Sequence, residues 1–175
     1  IEPHDVGCMR FAAAPAAPRW FVNVAGAGLD ADVIASLSPR VPSRFAYLAH
    51  ALRRLGRYRA PTFRVEGTNA ATVDRRLLLA FVAIGQYCGH AMRVAPTARF
   101  DDGLFDVVTI DQIGLVRAVP KLAKLYVGTL LGDPVVTHRT TAAVHIEAEP
   151  PAPVEADGQL VGTTPVEFDV VPAAV

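Results

Sequence analysis

The sequence predicts an α+β fold that is mainly β, an antiparallel β-sandwich with two or three packed helices. Several short segments alternate polar and apolar residues, which is typical of strands with one buried face. Two longer segments have a helical period, but helices and strands do not alternate strictly, and this favours an antiparallel sheet over a parallel one. Hydrophobic residues make up 51% of the 175 residues, which is enough to bury one substantial core within a single domain, 1–175.

The first half of the chain is predicted to contain four strands and one helix. The strands are Val6–Phe11, Trp20–Ala25, Thr62–Glu66 and Leu77–Ile84. The last of these is apolar throughout, so we expect it to be buried on both faces. The helix opens at Pro42 and Ser43 and stops at Gly56, because the apolar residues between them fall on one face. These apolar residues are Phe45, Leu48, Leu52 and Leu55.

The second half is predicted to contain one apolar strand, one helix and a group of alternating strands. The apolar strand is Leu104–Ile110, and the helix covers Ile113–Leu131. Gly132-Asp133-Pro134 is predicted to end this helix, because glycine can adopt left-handed angles and proline cannot continue the hydrogen bonding. The alternating strands are Val144–Glu149, Val154–Ala156 and Val166–Val170. We expect tight turns to join them.

Charge and cysteine content exclude several classes of protein. Lys plus Arg, 17, equals Asp plus Glu, 17, so no net field attracts nucleic acid or an anionic membrane over long distances. Cys8 and Cys88 match no zinc or disulfide framework, which indicates small core residues in a reducing, cytoplasmic compartment. The longest apolar run, Leu77–Ile84, is shorter than the roughly 20 residues of a membrane-spanning helix. The first ten residues lack the pattern of a signal peptide.

A glycine-rich segment follows the strand predicted at Trp20–Ala25. Residues 26–31 satisfy G-x-G-x-x-A, the spacing that lets a backbone approach a pyrophosphate at the start of a helix. A dinucleotide site also needs an acidic residue about 20 residues later, at the end of the next strand. That stretch is the predicted helix after Ser43, and the first acid at a strand end is Glu66. The pattern therefore favours a glycine turn that brings strand and helix together.

Two Asp-Gly turns carry the remaining polar pattern. Residues 100–106 place three carboxylates around Gly103, and carboxylate and backbone oxygens suit a hard cation such as magnesium or calcium. The other ligands of an EF-hand are missing, so a plain Asp-Gly turn remains the alternative. The second turn, Asp157-Gly158 between two alternating strands, predicts a hairpin.

Five motifs in order resemble the carboxy-terminal domain of the diacylglycerol kinase and sphingosine kinase family, and the resemblance covers nearly the whole chain. They are Phe21–Ala31, Phe45–Leu48, Gly89 with Ala95-Pro96, Asp102–Val107, and Asp157–Gln159. The resemblance implies an enzyme that transfers the γ-phosphate of ATP to a lipid hydroxyl at a peripheral membrane surface. It also implies an amino-terminal ATP-binding domain with a Gly-Gly-Asp-Gly element. No such string occurs in this chain, so we expect the isolated chain to be inactive.

The resemblance also assigns roles to individual residues. Asp102 matches the family's magnesium ligand, with the backbone carbonyls of Arg99 and Leu104 beside it. Asp157-Gly158-Gln159 matches an Asp-Gly-Glu motif that contacts nucleotide phosphate and whose glutamate is proposed as the base. Gln159 departs from the motif, because an amide cannot accept a proton and can only orient a hydroxyl group. Another carboxylate, reliance on positioning, or a weakened enzyme each remain open.

Four further residues are implied by the same resemblance. Arg40 and Arg44 lie where relatives carry phosphate-binding arginines, although two solvated arginines remain an alternative. Asp30 and Asp32 flank the segment that faces the lipid head group in relatives, and either could bind a hydroxyl group. We also expect the turns at Gly26–Gly28, Asp102-Gly103 and Asp157-Gly158 to converge on one cleft edge beside an apolar cavity for acyl chains.

Two other functions remain consistent with the sequence. One is a non-catalytic lipid-binding module that kept the apolar pocket and lost the base, as Gln159 permits. The other is an NAD kinase-like enzyme, which shares the broader architecture but phosphorylates a soluble nucleotide. The sequence does not name the lipid, because acyl-chain pockets are defined by volume rather than by a motif. It leaves oligomeric assembly open as well.

Overall fold

A computed structural model of the chain describes residues 3–12, 17–36, 44–68, 71–89 and 91–174, with the backbone alone for 44–47. The first strands are β1 (Val6–Phe11), β2 (Arg19–Phe21), β3 (Val24–Gly28), β4 (Thr62–Gly67), β5 (Val73–Ala83), β6 (Tyr87–Cys88) and β7 (Met92–Arg93). The later strands are β8 (Phe105–Asp111), β9 (Val136–Thr141), β10 (Ala143–Glu149), β11 (Pro153–Ala156), β12 (Gln159–Thr163) and β13 (Val166–Val171). The helices are α1 (Leu29–Ser36), α2 (Arg44–Leu55) and α3 (Leu115–Val127), with a 3₁₀ turn at Leu130–Gly132.

The strands form one curled antiparallel sheet whose two layers face each other, and β6 and β7 form a separate two-stranded ribbon. The order is β12-β11-β3-β5-β4-β10-β13-β1-β2, and β8 joins β5 to β9. The first residues of β5 pair with β4, while its later residues lie between β3 and β8. This long strand therefore belongs to both layers. The α+β class, the antiparallel sandwich and the packed helices predicted from the sequence are confirmed.

Each face of β5 packs against a separate apolar cluster. Leu77, Ala80 and Val82 contribute to a core between the two layers, which contains four fully buried phenylalanines. These are Phe21, Phe63, Phe105 and Phe168. Phe81 and Ala83 contribute to a second cluster that the helices cover. A strand covered on both sides has no room for polar residues, which explains its apolar sequence.

Two predicted elements are divided or shortened in the structure, and β5 begins four residues before the predicted start at Leu77. The strand predicted at Trp20–Ala25 is two strands, β2 and β3, because a bend at Val22 and Asn23 separates them. The helix predicted at Ile113–Leu131 ends earlier, at Val127. Gly128 follows it with a left-handed φ of 79°, and the N–H groups of Gly128 and Thr129 both donate to the carbonyl of Lys124. This glycine ends the helix before the predicted stop at Gly132 is reached.

Helix α1, the short strands β6 and β7, and strands β9 and β12 were not predicted from the sequence. Helix α1 begins directly after Gly28, in a segment whose apolar residues lack a clear face. Strands β9 and β12 are largely exposed and polar, so they lack the alternation by which the other strands were recognised. None of the helices in the described part of the chain has both the length and the apolar composition needed to cross a bilayer.

Candidate functional site

The Asp157-Gly158 turn is a tight hairpin that anchors a neighbouring bend. Both residues have positive φ, 47° and 82°, and the flanking residues pair with each other in the β11–β12 ladder. Positive φ at both central positions is the geometry of a two-residue type I′ turn, so the predicted hairpin is confirmed. The Asp157 carboxylate accepts N–H groups from Val22, Asn23 and Val24 at 2.9, 3.1 and 3.2 Å. These bonds tie the bend between β2 and β3 to the hairpin.

Next to this turn, the structure reveals an acid that the sequence analysis did not single out. The Glu155 side chain is buried, with 4% of the residue exposed, and its Oε2 accepts the N–H of Gly158 at 2.8 Å. Val154 and Ala156 face the core between the layers, so alternation along β11 turns Glu155 to the opposite face. Gln159 begins β12 and is exposed. The buried Glu155 is thus four positions before Gln159 in the sequence.

Asp30 lies directly beside Glu155. Gly26 pairs with Glu155 across the β3–β11 ladder, and the Asp30 carboxylate lies over Gly26. A Cβ atom at residue 26 would be 1.8 Å from Asp30 Oδ2, so only glycine leaves space for this carboxylate. Among the described residues neither Asp30 oxygen has a hydrogen-bond partner. Gly26 and Gly28 therefore lie in a strand, not in the predicted turn, and the glycine at 26 makes room for an acid.

Burial raises the pKa of both carboxyl groups. For Asp30 the cause is desolvation, which the nearby backbone N–H groups of Ala31 and Asp30 oppose only in part. For Glu155 desolvation comes first, followed by the negative charge of Asp30, and these outweigh the hydrogen bond from Gly158. A low-dielectric environment disfavours a charged group, and a second negative charge disfavours it further. The two acids titrate as a pair whose members cannot both ionise easily.

Two weaker acids line the same space. Burial raises the pKa of the Tyr58 hydroxyl group, and the charges of Asp30 and Asp32 raise it further. Burial and the charges of Asp30 and Glu155 likewise raise the pKa of the Cys88 thiol. In the described part of the chain the Tyr58 hydroxyl also lacks a hydrogen-bond partner. We call Asp30, Tyr58, Cys88 and Glu155 the buried acid cluster.

An unpartnered polar group in a protein interior costs roughly 1–3 kcal/mol. Such a group persists where water or a ligand supplies the missing hydrogen bond. Among the described residues, three oxygens of the buried acid cluster lack a partner, namely the two of Asp30 and the hydroxyl oxygen of Tyr58. The sequence analysis did not single out Tyr58 or Glu155, because neither belongs to a recognisable motif. It predicted Cys88 only as a small core residue. Together they can accept or share a proton from a ligand hydroxyl group.

Asp32, the other acid predicted to contact substrate, has a different environment. Arg54 of α2 donates to its carboxylate twice, from Nε at 2.8 Å to Oδ2 and from Nη2 at 2.5 Å to Oδ1. This pair ties α1 to α2. Arg44 is the first residue of α2, and its side chain lies outside the described part. Arg40 lies outside the described residues altogether.

The predicted magnesium ligands lie in the loop before β8. Asp102 Oδ1 accepts the N–H of Leu104 at 3.1 Å, while the Arg99 guanidinium pairs with Asp101. Asp5 anchors this loop, because its buried carboxylate accepts the N–H of Gly103 at 2.7 Å. Across the described ranges, no three His, Cys, Asp or Glu side chains gather where they could hold a metal. A cation in this loop would therefore depend on Asp102 and backbone carbonyl groups.

The two Asp-Gly turns lie at the same edge of the sheet. Val24 pairs with Ala83, Ala83 pairs with Asp106, and Ala25 pairs with Ala156. The start of β3, the end of β5, the start of β8 and the end of β11 are therefore side by side. Gly28 lies at the other end of β3, so the expected convergence of all three turns is wrong. Only the turns at 102–103 and 157–158 share an edge.

One open cavity of about 280 Å³ adjoins the 102–103 turn, but His4, Gln86, Arg99 and Asp101 make its lining polar. An apolar cavity lies between the two layers instead, and it measures about 20 Å³. Its lining includes Val65, Val73, Val107 and Val144. This volume holds roughly one water molecule, so it is too small for an acyl chain. The acyl-chain cavity expected beside the turns stays a prediction.

Comparisons with known proteins decide the family. The family model described as the YegS C-terminal NAD kinase beta sandwich-like domain matches residues 23–175. The chain belongs to this family. The region of this chain that matches the family begins at Asn23, whose N–H donates to the Asp157 carboxylate. The resemblance to diacylglycerol kinases seen in the sequence is confirmed.

Curated relatives and a solved structure similar to this chain are named diacylglycerol kinase. A Mycobacterium tuberculosis protein named diacylglycerol kinase is 29% identical over 161 residues, covering 90% of this chain and 51% of that protein. A Staphylococcus carnosus diacylglycerol kinase is 23% identical, covering 96% of this chain and 55% of that protein. A Bacillus anthracis crystal structure described as a diacylglycerol kinase superposes with a TM-score of 0.63 at 18% identity, covering 98% of this chain and 52% of that one. The chain thus spans about half the length of the curated relatives it matches.

Proposed function

We propose that this chain is the substrate-binding half of an ATP-dependent kinase that phosphorylates diacylglycerol or a similar lipid alcohol. Membership of the YegS C-terminal domain family and the relatives named diacylglycerol kinase support the reaction class. The observation that carries the proposal is the Asp30 carboxylate, buried and without a hydrogen-bond partner among the described residues. A lipid hydroxyl group would supply the missing donor. The other half of such a kinase would bind ATP.

In the proposed reaction the buried acid cluster takes the role that Gln159 cannot fill. Asp30 or Glu155 accepts the proton of the lipid hydroxyl group as its oxygen attacks the γ-phosphorus atom. A new P–O bond forms, the bond to the bridging oxygen breaks, and ADP leaves. A base with a pKa raised toward the working pH suits this proton transfer. Gln159 can orient the hydroxyl group through its amide.

Phosphoryl transfer depends mainly on positioning and on positive charge near the phosphates. A magnesium ion bound by Asp102 and the carbonyls of Arg99 and Leu104 would supply such charge or hold the loop. Arg40 and Arg44 remain proposed phosphate ligands. The N–H of Gly158 already donates to Glu155, and the Asp157 carboxylate accepts three N–H groups. Their proposed phosphate contacts would therefore need these bonds to rearrange.

The test uses the full-length protein that carries this chain, labelled ATP, and a panel of diacylglycerol, sphingosine, monoacylglycerol and NAD. We expect a labelled phospholipid product and no labelled NADP. Glu155→Gln should lower kcat by roughly 10²–10⁴ if this carboxyl group is the base. Glu167→Gln on β13 is the matched control, because Glu167 is exposed and remote from the cluster. No transfer to any lipid would contradict the proposal, and transfer to NAD alone would favour a nucleotide kinase.

Gln159 itself favours a second candidate, a non-catalytic lipid-binding module. Gln159→Glu distinguishes the two. A large gain in phosphorylation would indicate an enzyme weakened at this position. An unchanged, measurable rate would indicate that another group, such as Glu155, is the base. Binding of a lipid alcohol with no phosphorylation by either form would support the binding module.

A further inference from the structure

Helix α3 has an apolar face that points to solvent. Its inner side packs through Ala118, which is buried, and through Leu122 and Leu125. At about 100° per residue, the exposed apolar side chains fall within an arc of about 120° that adjoins the inner side. They are Leu115 at 41% exposed, Val116 at 86%, Val119 at 50%, Tyr126 at 37% and Val127 at 69%. We call these five residues the outer stripe of α3.

Packing among the described residues does not explain the outer stripe. The helix buries its inner side against the second apolar cluster, and none of the five outer residues belongs to either apolar cluster of the described residues. Single exposed apolar residues are ordinary, but a contiguous set on one helix face marks an interaction surface. Val116 and Val127 are the most exposed large apolar residues in the described ranges. A partner must therefore cover this face.

The charges beside the outer stripe identify the kind of partner. All charged residues of α3 are basic, namely Arg117, Lys121 and Lys124. The end of α2 adjoins the start of α3, since a Cβ atom at Gly56 would be 3.8 Å from Leu115 Cδ2. That end adds further arginines, which are Arg53, Arg57 and Arg59. Within the described ranges these three and Arg117 have no ion pair, so their charge is available to an anionic partner.

We propose that the outer stripe of α3 and the adjoining arginines dock the protein on a membrane surface that contains anionic lipids. A helix with an apolar face and basic flanks lies in the interface between lipid head groups and acyl chains. The whole chain has a net charge of zero, so the basic side is a local asymmetry and not a general property. Tyr126 suits the same depth, because its ring is apolar and its hydroxyl group is polar.

This surface and the buried acid cluster belong to the same layer of helices. All three helices cover the same face of the sheet, with α2 contacting both α1 and α3. Asp30 is the second residue of α1, and Tyr58 follows α2. Docking through α3 would therefore bring the membrane to the side that carries the cluster. In this respect the inference rests on the proposed function, since a lipid alcohol reaches the cluster from that membrane.

The binding test measures sedimentation of the full-length protein with vesicles, in the absence of ATP. Vesicles contain phosphatidylcholine alone or mixed with phosphatidylglycerol. Combining Val116→Gln with Val127→Gln should lower partitioning at least about tenfold on the mixed vesicles, because two apolar side chains no longer enter the interface. Arg117→Gln should lower partitioning about fivefold on the mixed vesicles and leave neutral vesicles unchanged.

Matched controls come from β2, on another surface. Trp20 is 56% exposed, and Arg19 beside it is exposed as well. Trp20→Gln and Arg19→Gln should leave partitioning unchanged. If these controls lose as much vesicle partitioning as the α3 variants do, the proposal is overturned. Undiminished partitioning of the α3 variants would overturn it as well. Circular dichroism checks that every variant is folded.

Other occupants of the outer stripe give distinct results. A maleimide should modify a Val116→Cys variant rapidly without vesicles and slowly with them. Protection without vesicles, together with a dimer that the α3 substitutions dissociate, would assign the stripe to a second copy of the chain. Protection in a monomer would assign it to the rest of the protein. Both results overturn membrane docking.

The kinase assay separates this proposal from the proposed function. With the lipid alcohol presented in detergent micelles, the α3 variants should phosphorylate it as the unmodified protein does. Vesicle binding through α3 without phosphorylation of any lipid would refute the kinase and leave docking intact. If the protein phosphorylates lipid but the α3 substitutions leave vesicle binding unchanged, docking alone is refuted.

Discussion

Replacing Asp30 with asparagine should stabilise the fold at neutral and alkaline pH. The Asp30 carboxylate is buried, lacks a partner among the described residues, and lies beside the buried Glu155. Asparagine has nearly the same shape but never ionises. The substitution removes the cost of a buried charge and also relieves the repulsion that raises the pKa of Glu155.

The effect depends on pH in a defined direction. Both folded-state pKa values lie above those of unfolded Asp and Glu, which are about 4. At these two groups the folded protein then binds more protons than the unfolded chain, so their contribution to stability is greatest below about pH 4 and declines as pH rises through the folded pKa values. Each unit of pKa difference corresponds to about 1.4 kcal/mol. We expect Asp30→Asn to change stability little at pH 4 and to raise it by about 2 kcal/mol at pH 8.

Urea unfolding at a series of pH values measures this difference. For a chain of this length, about 2 kcal/mol corresponds to an increase of about 4–8 °C in the melting temperature. Glu149→Gln is the control, because that side chain is exposed and should give a flat difference. A destabilisation by Asp30→Asn that is equal at every pH would refute the reasoning. It would mean that Asp30 is paired in the folded protein.

Three further substitutions test the parts that hold the site. Asp5→Asn should destabilise the protein by about 1–3 kcal/mol, because an amide puts an NH₂ group against one of the two N–H donors that Asp5 now accepts, and urea unfolding measures it. Gly26→Ala should displace the Asp30 side chain, since the new Cβ would be 1.8 Å from Asp30 Oδ2. The variant should still fold but lose lipid phosphorylation, which an activity assay measures. Asp133→Asn should remove stability that is present above about pH 4 and is lost as pH falls, because two lysines of α3 lower the pKa of Asp133; thermal melts at pH 3 and pH 7 compare the two.

The sequence predicted the elements whose burial imposes a repeating pattern. Val6–Phe11 agrees residue for residue with β1, and the apolar run from Leu77 lies within β5 except for its last residue. The Asp157-Gly158 hairpin was also predictable, because few residues tolerate positive φ at both positions of a type I′ turn. The bend at Val22 and Asn23 was not, since a carboxylate 134 residues away holds it.

The candidate site was predictable only in part. Family motifs pointed to Asp30 and to the hairpin, but they offered no reason to examine Glu155 or Tyr58. Their relation to Asp30 depends on the pairing of β3 with β11 and on the approach of the segment after α2. Contacts between strands that are distant in sequence leave no local pattern. Glycine at residue 26 was the one local signal, and its role became clear only with the Asp30 side chain in place.

The most direct measurement is the pH dependence of kcat/KM for lipid phosphorylation by the full-length protein, compared with that of Asp30→Asn. If the buried pair takes the hydroxyl proton, the rate should rise with pH across the neutral range, because a carboxylate must form first. The variant should be slower by at least about tenfold, and this rise should be shifted or lost. A variant with the same rate and the same profile would show that the lipid hydroxyl group never meets these two acids.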